Sequence, residues 1–148
     1  MQIVVRPESI EVSSYKRATG IIYFADDQKV FPESNWNDFV DVLLLEWSRQ
    51  LLSVVSARVE QVTLRFMDGP FSVGLVCEAA RCRALFKDGD KIVGSVGEID
   101  VADLIQSFLS AGESLLSNRA FLTQMSKETS ELRIALHQLK GSVPQARR

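Results

Sequence analysis

Residues Phe31–Trp47 read FPESNWNDFVDVLLLEW, and this stretch decides the architecture. Pro32 to Asn35 is a break between elements. Ser34 or Asn35 then supplies a helix N-cap, and Asp38, three positions after Asn35, suits the first-turn amides and the positive helix end. From there Trp36, Phe39, Val40, Leu43, Leu44, Trp47, Leu51, Val54 and Val55 recur at helical spacing on one face. Asn37, Asp38, Asp41, Ser48 and Arg49 take the opposite side, but so do Leu45 and Leu52. A helix this apolar must be buried against a sheet. Its second, narrower stripe calls for cover from another element, most simply a further helix.

Upstream of this helix, residues 2–13 read as extended, with Ile3, Val5, Ile10 and Val12 alternating around Pro7. Proline cannot donate to a ladder, so that strand is bent or lies at an edge. Gly20 to Phe24 is rich in β-formers, and Asp26-Asp27-Gln28 turns the chain toward Val30-Phe31. Downstream, Val62, Leu64 and Phe66 alternate with polar neighbours, Asp68-Gly69-Pro70 turns, and Phe71, Val73, Leu75 and Cys77 line one face of the next strand. Cys82, Ala84 and Phe86 continue that face, and Asp88-Gly89 is a strong hairpin signal leading into Ile92 to Val96. These strands make an antiparallel meander covered on one side, with Arg65, Arg81, Arg83 and Lys87 on the outer face.

The remainder reads as helical. Asp100 and Asp103 open a segment whose stripe is Val101, Leu104, Ile105, Phe108, Leu109, Leu115 and Leu116. Ser117-Asn118 breaks and re-caps it. A final helix places Phe121, Leu122, Met125, Thr129, Leu132, Leu136 and Leu139 inward and ends near Gly141. The order ββ-α-ββββ-αα predicts one α+β domain over residues 1–140, with 141–148 as a short frayed tail.

Composition narrows the function classes. At 148 residues the chain can bury one substantial core, and 46% hydrophobic with 24% charged residues is ordinary for a globular protein. A formal net charge of −2 gives no basic footprint for nucleic acid. Arg6 and Pro7 interrupt the only early apolar run, and no run approaches the roughly 18 residues of a membrane span. The expectation is a cytoplasmic protein with neither a nucleic-acid nor a membrane partner. Cys77 and Cys82 flank a turn and can face each other across two strands, which leaves a cross-strand disulfide or half a metal site as alternatives to free thiols. Zinc needs about four ligands, whereas the chain's single histidine, His137, is far away on a helix. Because cytosolic disulfides are rare, the expectation is a pair of free structural thiols, with no metal and no cofactor.

Each group that could carry chemistry has a plainer rival. Asp38, Asp41 and Glu46 are carboxylates on one helix, yet capping, a solvated face and a Glu46–Arg49 pair account for them. Asp88-Gly89-Asp90 is too short for a calcium loop, whose ligands spread over about twelve residues. His137 has no carboxylate or serine placed around it by a motif. The cations Arg65, Arg81, Arg83 and Lys87 could hold an anion or an acidic partner, or simply make a solvated strand face. Asp68-Gly69-Pro70 is what a turn requires, though with Phe71 beside it the loop could also be a recognition element.

Two motifs, F-P-x-x-x-W-x-D-F with a following L-x-W, and F-M-D-G-P-F, occupy residues 31–47 and 66–71. In these, with the match covering residues 31–47 and 65–71, the chain resembles small bacterial proteins, some of them similar to immunity proteins of polymorphic-toxin and contact-dependent inhibition systems. A lone tryptophan at Trp47 departs from the doubled one common in that pattern. The resemblance implies stoichiometric binding of a cognate toxin domain, by a monomer or homodimer, with no catalytic residues. Under it, the partner-binding candidates are Asp41, Asp68, Phe71, Glu98 and Asp100. An assembly adaptor or chaperone-like subunit, dimerising through the last two helices, is the alternative, and a small enzyme is the third.

Overall fold

The structure is a computed structural model that describes residues 1–27 and 29–142. It is α+β and antiparallel throughout, in the order read from the sequence but with both terminal parts more finely divided.

The N-terminal layer is built on β3 (Ala18–Asp26). One edge is filled by β1 (Gln2–Val5) and β2 (Glu11–Val12), pairing Val5 with Ile22 and Glu11 with Thr19. They are one strand bent at Pro7, where a short 3-10 turn spans Pro7–Ser9, and the Ser9 hydroxyl takes over the Ile21 amide at 2.8 Å. The other edge carries β4 (Lys29–Phe31) and β5 (Asn37–Asp38). The Ile3 amide donates to the Ser107 hydroxyl, so a helix covers the outer side of β1.

The long helix, α1, runs from Val40 to Val55 and buries Val40, Leu43, Leu44, Trp47 and Leu51. It starts later than its spacing suggests: Trp36 and Phe39 precede it, and Phe39 is its N-cap without a side-chain cap bond. The reason is a competing partner. The free edge of β3 pairs Gly20 with Asp38 and Ile21 with Asn37, and the Ile22 amide donates to the Trp36 carbonyl at 2.9 Å. Sheet pairing therefore claims the residues that the helical pattern would have taken.

The meander follows as β6 (Gln61–Arg65), β7 (Phe71–Glu78), β8 (Arg81–Asp88) and β9 (Lys91–Asp100), adjacent in that order. Val62, Leu64, Val73, Leu75, Ala84 and Phe86 face inward as the alternation requires. Three helices close the core: α2 (Val101–Leu116), α3 (Arg119–Gln124) and α4 (Ser126–Ser142). The Asp100 carboxylate caps α2 by accepting from the Ala102 and Asp103 amides, and Asn118 caps α3 through the Phe121 amide at 2.9 Å. The single final helix expected from the sequence is instead broken at the buried Met125. Leu45 and Leu52 are half-buried where α1 packs on α4, which answers for the second stripe. Residues 143–148 of the expected tail lie outside the described residues.

Two further expectations need correction. Cys77 and Cys82 are not free: they are register partners on β7 and β8 and form a disulfide. The short turn Glu78–Arg81 brings the two side chains together on the inner face. Asp41 is not an exposed polar residue of the helix; it is only 6% accessible, because α4 packs beside it.

Candidate functional site

The two motifs meet in space through one carboxylate. Asp38 is 2% accessible, and its Oδ2 accepts from the Met67 amide at 3.2 Å, the Asp68 amide at 3.1 Å and the Trp36 indole at 3.1 Å. Its Oδ1 accepts from the Phe39 amide at 2.7 Å. One buried charge thus fixes both the entry to α1 and the turn between β6 and β7, with charge-assisted bonds replacing its lost hydration.

Behind this clasp lies a continuous cluster of rings. Phe66 makes edge contacts with Phe24, Phe31, Trp36 and Trp47, and Phe31 stacks on Phe86 with centroids 4.7 Å apart. Phe71 packs edge-on against Trp36 and Phe31. The Trp47 indole donates to the Arg65 carbonyl at 2.9 Å, anchoring α1 to the last residue of β6. At the turn, Gly69 has φ +80°, and a Cβ there would lie 3.2 Å from the Phe71 ring. The turn therefore needs glycine twice over, for its backbone and for its contact.

In front of the clasp the surface is apolar. Met67 is 58% exposed and Val42 43% exposed. They line, with Lys16, Arg17, Phe39 and Asp41, a cleft of about 250 Å³. Burial pushes the Asp41 carboxyl above its ordinary value of 3.8; hydrogen bonds from the Val42 and Asp41 amides oppose the shift, and the charge of Glu128 on α4 adds to it.

The five partner-binding candidates fall into two places. Asp68 is exposed at the turn, Phe71 is half-buried in the ring cluster behind it, and Asp41 sits in the adjoining cleft. Glu98, exposed with φ +56°, and Asp100 lie at the opposite end of the meander, since Asp100 pairs with Arg81 whereas Phe71 pairs with Asp88. The eight residues of β7 separate the two ends by roughly 23 Å at about 3.3 Å per residue. Asp100 is occupied in capping α2. Of the outer-face cations, Arg65, Arg81 and Arg83 are exposed, while the Lys87 stem lies over Gly74, its Cε 3.8 Å from where a Cβ would be.

The sequence reading missed the role of Asp38 and the cleft. An acid immediately before an aromatic residue at a helix entry is a usable signal for the first. The second joins residues from three separate segments, and no local pattern announces it. Comparison with known proteins found no matching family model, no similar curated protein and no similar solved structure.

Proposed function

We propose that the protein is a non-catalytic protein-binding module, most concretely an immunity protein that neutralises a cognate bacterial toxin domain by one-to-one binding. The observation that supports this reading is the convergence at Asp38. The motifs of residues 31–47 and 66–71, which carry the resemblance, are locked together, and the lock holds Met67, Val42 and Asp68 outward on a rigid base. Exposed methionine beside fixed apolar and charged groups suits a recognition surface, because its flexible thioether adapts to a partner while the base stays ordered. Binding energy in such interfaces concentrates on a few central anchors.

On this reading the protein acts in the cytoplasm of the cell that it protects. The Cys77–Cys82 disulfide pulls the other way, since cytosolic disulfides are rare. Among the described residues no helix is long and apolar enough to cross a membrane.

Co-expression with a toxin gene encoded beside it tests the proposal. Cells carrying both genes should survive, and Met67→Glu or Asp68→Arg should abolish protection without unfolding the protein. Cells that die as readily with the protein as without it, across candidate neighbours, would refute it. The alternative, a homo-oligomeric adaptor, draws on Ile134, which is 61% exposed on α4 beside Leu45 and Leu52. A light-scattering mass of a dimer, reduced to a monomer by Ile134→Glu, would favour that reading.

A further inference from the structure

The cleft beside Met67 has three chemically distinct walls. On α1, the Asp41 carboxylate is almost wholly buried, and the amides of its own turn, Asp41 and Val42, partly offset that burial. Lys16 and Arg17, both exposed, line the same cleft. Phe39, Val42 and Met67 supply the apolar part of its lining. Residues of opposite charge line one cavity without pairing: among the described residues no cation lies within ion-pair distance of Asp41, and Lys16 and Arg17 likewise have no acidic partner.

The cationic wall is held in place by its backbone. Ser13 fixes the turn between β2 and β3: its amide donates to the Arg17 carbonyl at 2.9 Å, its carbonyl accepts from the Lys16 amide at 3.0 Å, and its hydroxyl accepts from the Arg17 amide at 3.2 Å. Lys16 sits at φ +57° within this turn. A buried carboxylate lacking a counter-cation is costly, and separated opposite charges around an apolar gap are complementary to a molecule carrying both signs.

We propose that this cleft binds a free α-amino acid with an apolar side chain, its ammonium donating to Asp41, its carboxylate on Lys16 and Arg17, and its side chain against Phe39, Val42 and Met67. A volume of about 250 Å³ is below the roughly 300–1,000 Å³ of sites for drug-sized ligands and matches a small metabolite. A simple cation is disfavoured by Lys16 and Arg17, and a simple anion by Asp41. This inference goes beyond the partner-binding reading and stands or falls separately from it.

Isothermal titration of the full chain with L-valine, L-leucine, L-isoleucine, L-methionine and L-phenylalanine tests it. At least one should bind saturably at one-to-one stoichiometry. Isopentylamine and 4-methylpentanoate, each keeping one charge, should bind at least about tenfold more weakly than leucine. Asp41→Asn and Arg17→Ala should each lose about tenfold or more while remaining folded by circular dichroism. Absence of saturable heat with every amino acid up to about 10 mM, a range that detects even millimolar affinity, would overturn the proposal. So would amino-acid binding that Asp41→Asn leaves unchanged.

Discussion

Asp38 and Asp41 are three positions apart and do opposite things. Asp38 is buried and fully used, accepting four hydrogen bonds, two from its own segment and two from the distant turn between β6 and β7. Removing it takes the acceptor from the Met67 and Asp68 amides and the Trp36 indole, and a hydrogen bond to a charged group contributes about 1.5–3 kcal/mol. Asp38→Ala should therefore lower the urea-unfolding free energy by about 3 kcal/mol or more, and a variant within about 0.5 kcal/mol of wild type would show that the clasp is not holding. Asp41 is buried without a counter-cation, and its carboxyl is shifted up chiefly by desolvation. The folded state thus holds the proton more tightly than the unfolded one, which favours folding at low pH and penalises it once the group ionises. Asp41→Asn should raise the unfolding midpoint at pH 7, with Glu128, Lys16 and Arg17 still facing the site, and the gain should vanish as pH falls below the ordinary aspartate value of 3.8. A variant no more stable than wild type at pH 7 would contradict that sign. At this scale the sequence is least legible: both are an acid beside a helix start, and only tertiary neighbours decide which is a clasp and which is a buried charge.

Among the elements, those whose burial pattern is set locally were readable and those set by a distant edge were not. The meander follows from alternation and turn chemistry, and the start of α2 follows from Asp100. The start of α1 does not, because the amides and carbonyls of β3 compete for residues 36–38. The break at Met125 has no proline or glycine to mark it, and the disulfide depends on which pair the turn brings together. Leu43, 1% accessible on α1, makes a direct check of the helix's placement. Leu43→Ala should cost about 2–5 kcal/mol from lost transfer energy and the cavity left behind. A denaturation midpoint unchanged in that variant would mean that this face does not carry the core. For the disulfide, non-reducing mass spectrometry should find both cysteines unalkylated. Replacing both with alanine should cost up to about 2 kcal/mol, since the closed loop is short and the hairpin already constrains it.

Across the whole molecule, the two sheets have separate strand ladders, and what joins them is ring packing together with the Asp38 clasp rather than a shared ladder. Phe24 and Phe31 come from the N-terminal layer, Phe66, Phe71 and Phe86 from the meander, and Trp47 from the helix between. Aromatic pairs of this geometry contribute about 0.5–1.5 kcal/mol each beyond their buried area, so the cluster is worth several kcal/mol of coupling between the layers. Unfolding should accordingly be a single cooperative event. Trp36 and Trp47 both touch Phe66, so tryptophan fluorescence reports on the junction while far-ultraviolet circular dichroism reports on the whole. The two transitions should coincide in the wild type. Phe66→Ala should lose about 3–5 kcal/mol and weaken the junction selectively. In that variant the fluorescence transition should move to lower denaturant and run ahead of the circular-dichroism one. If the two probes already separated in the wild type, the layers would be independent units and the rings would not be what holds them together.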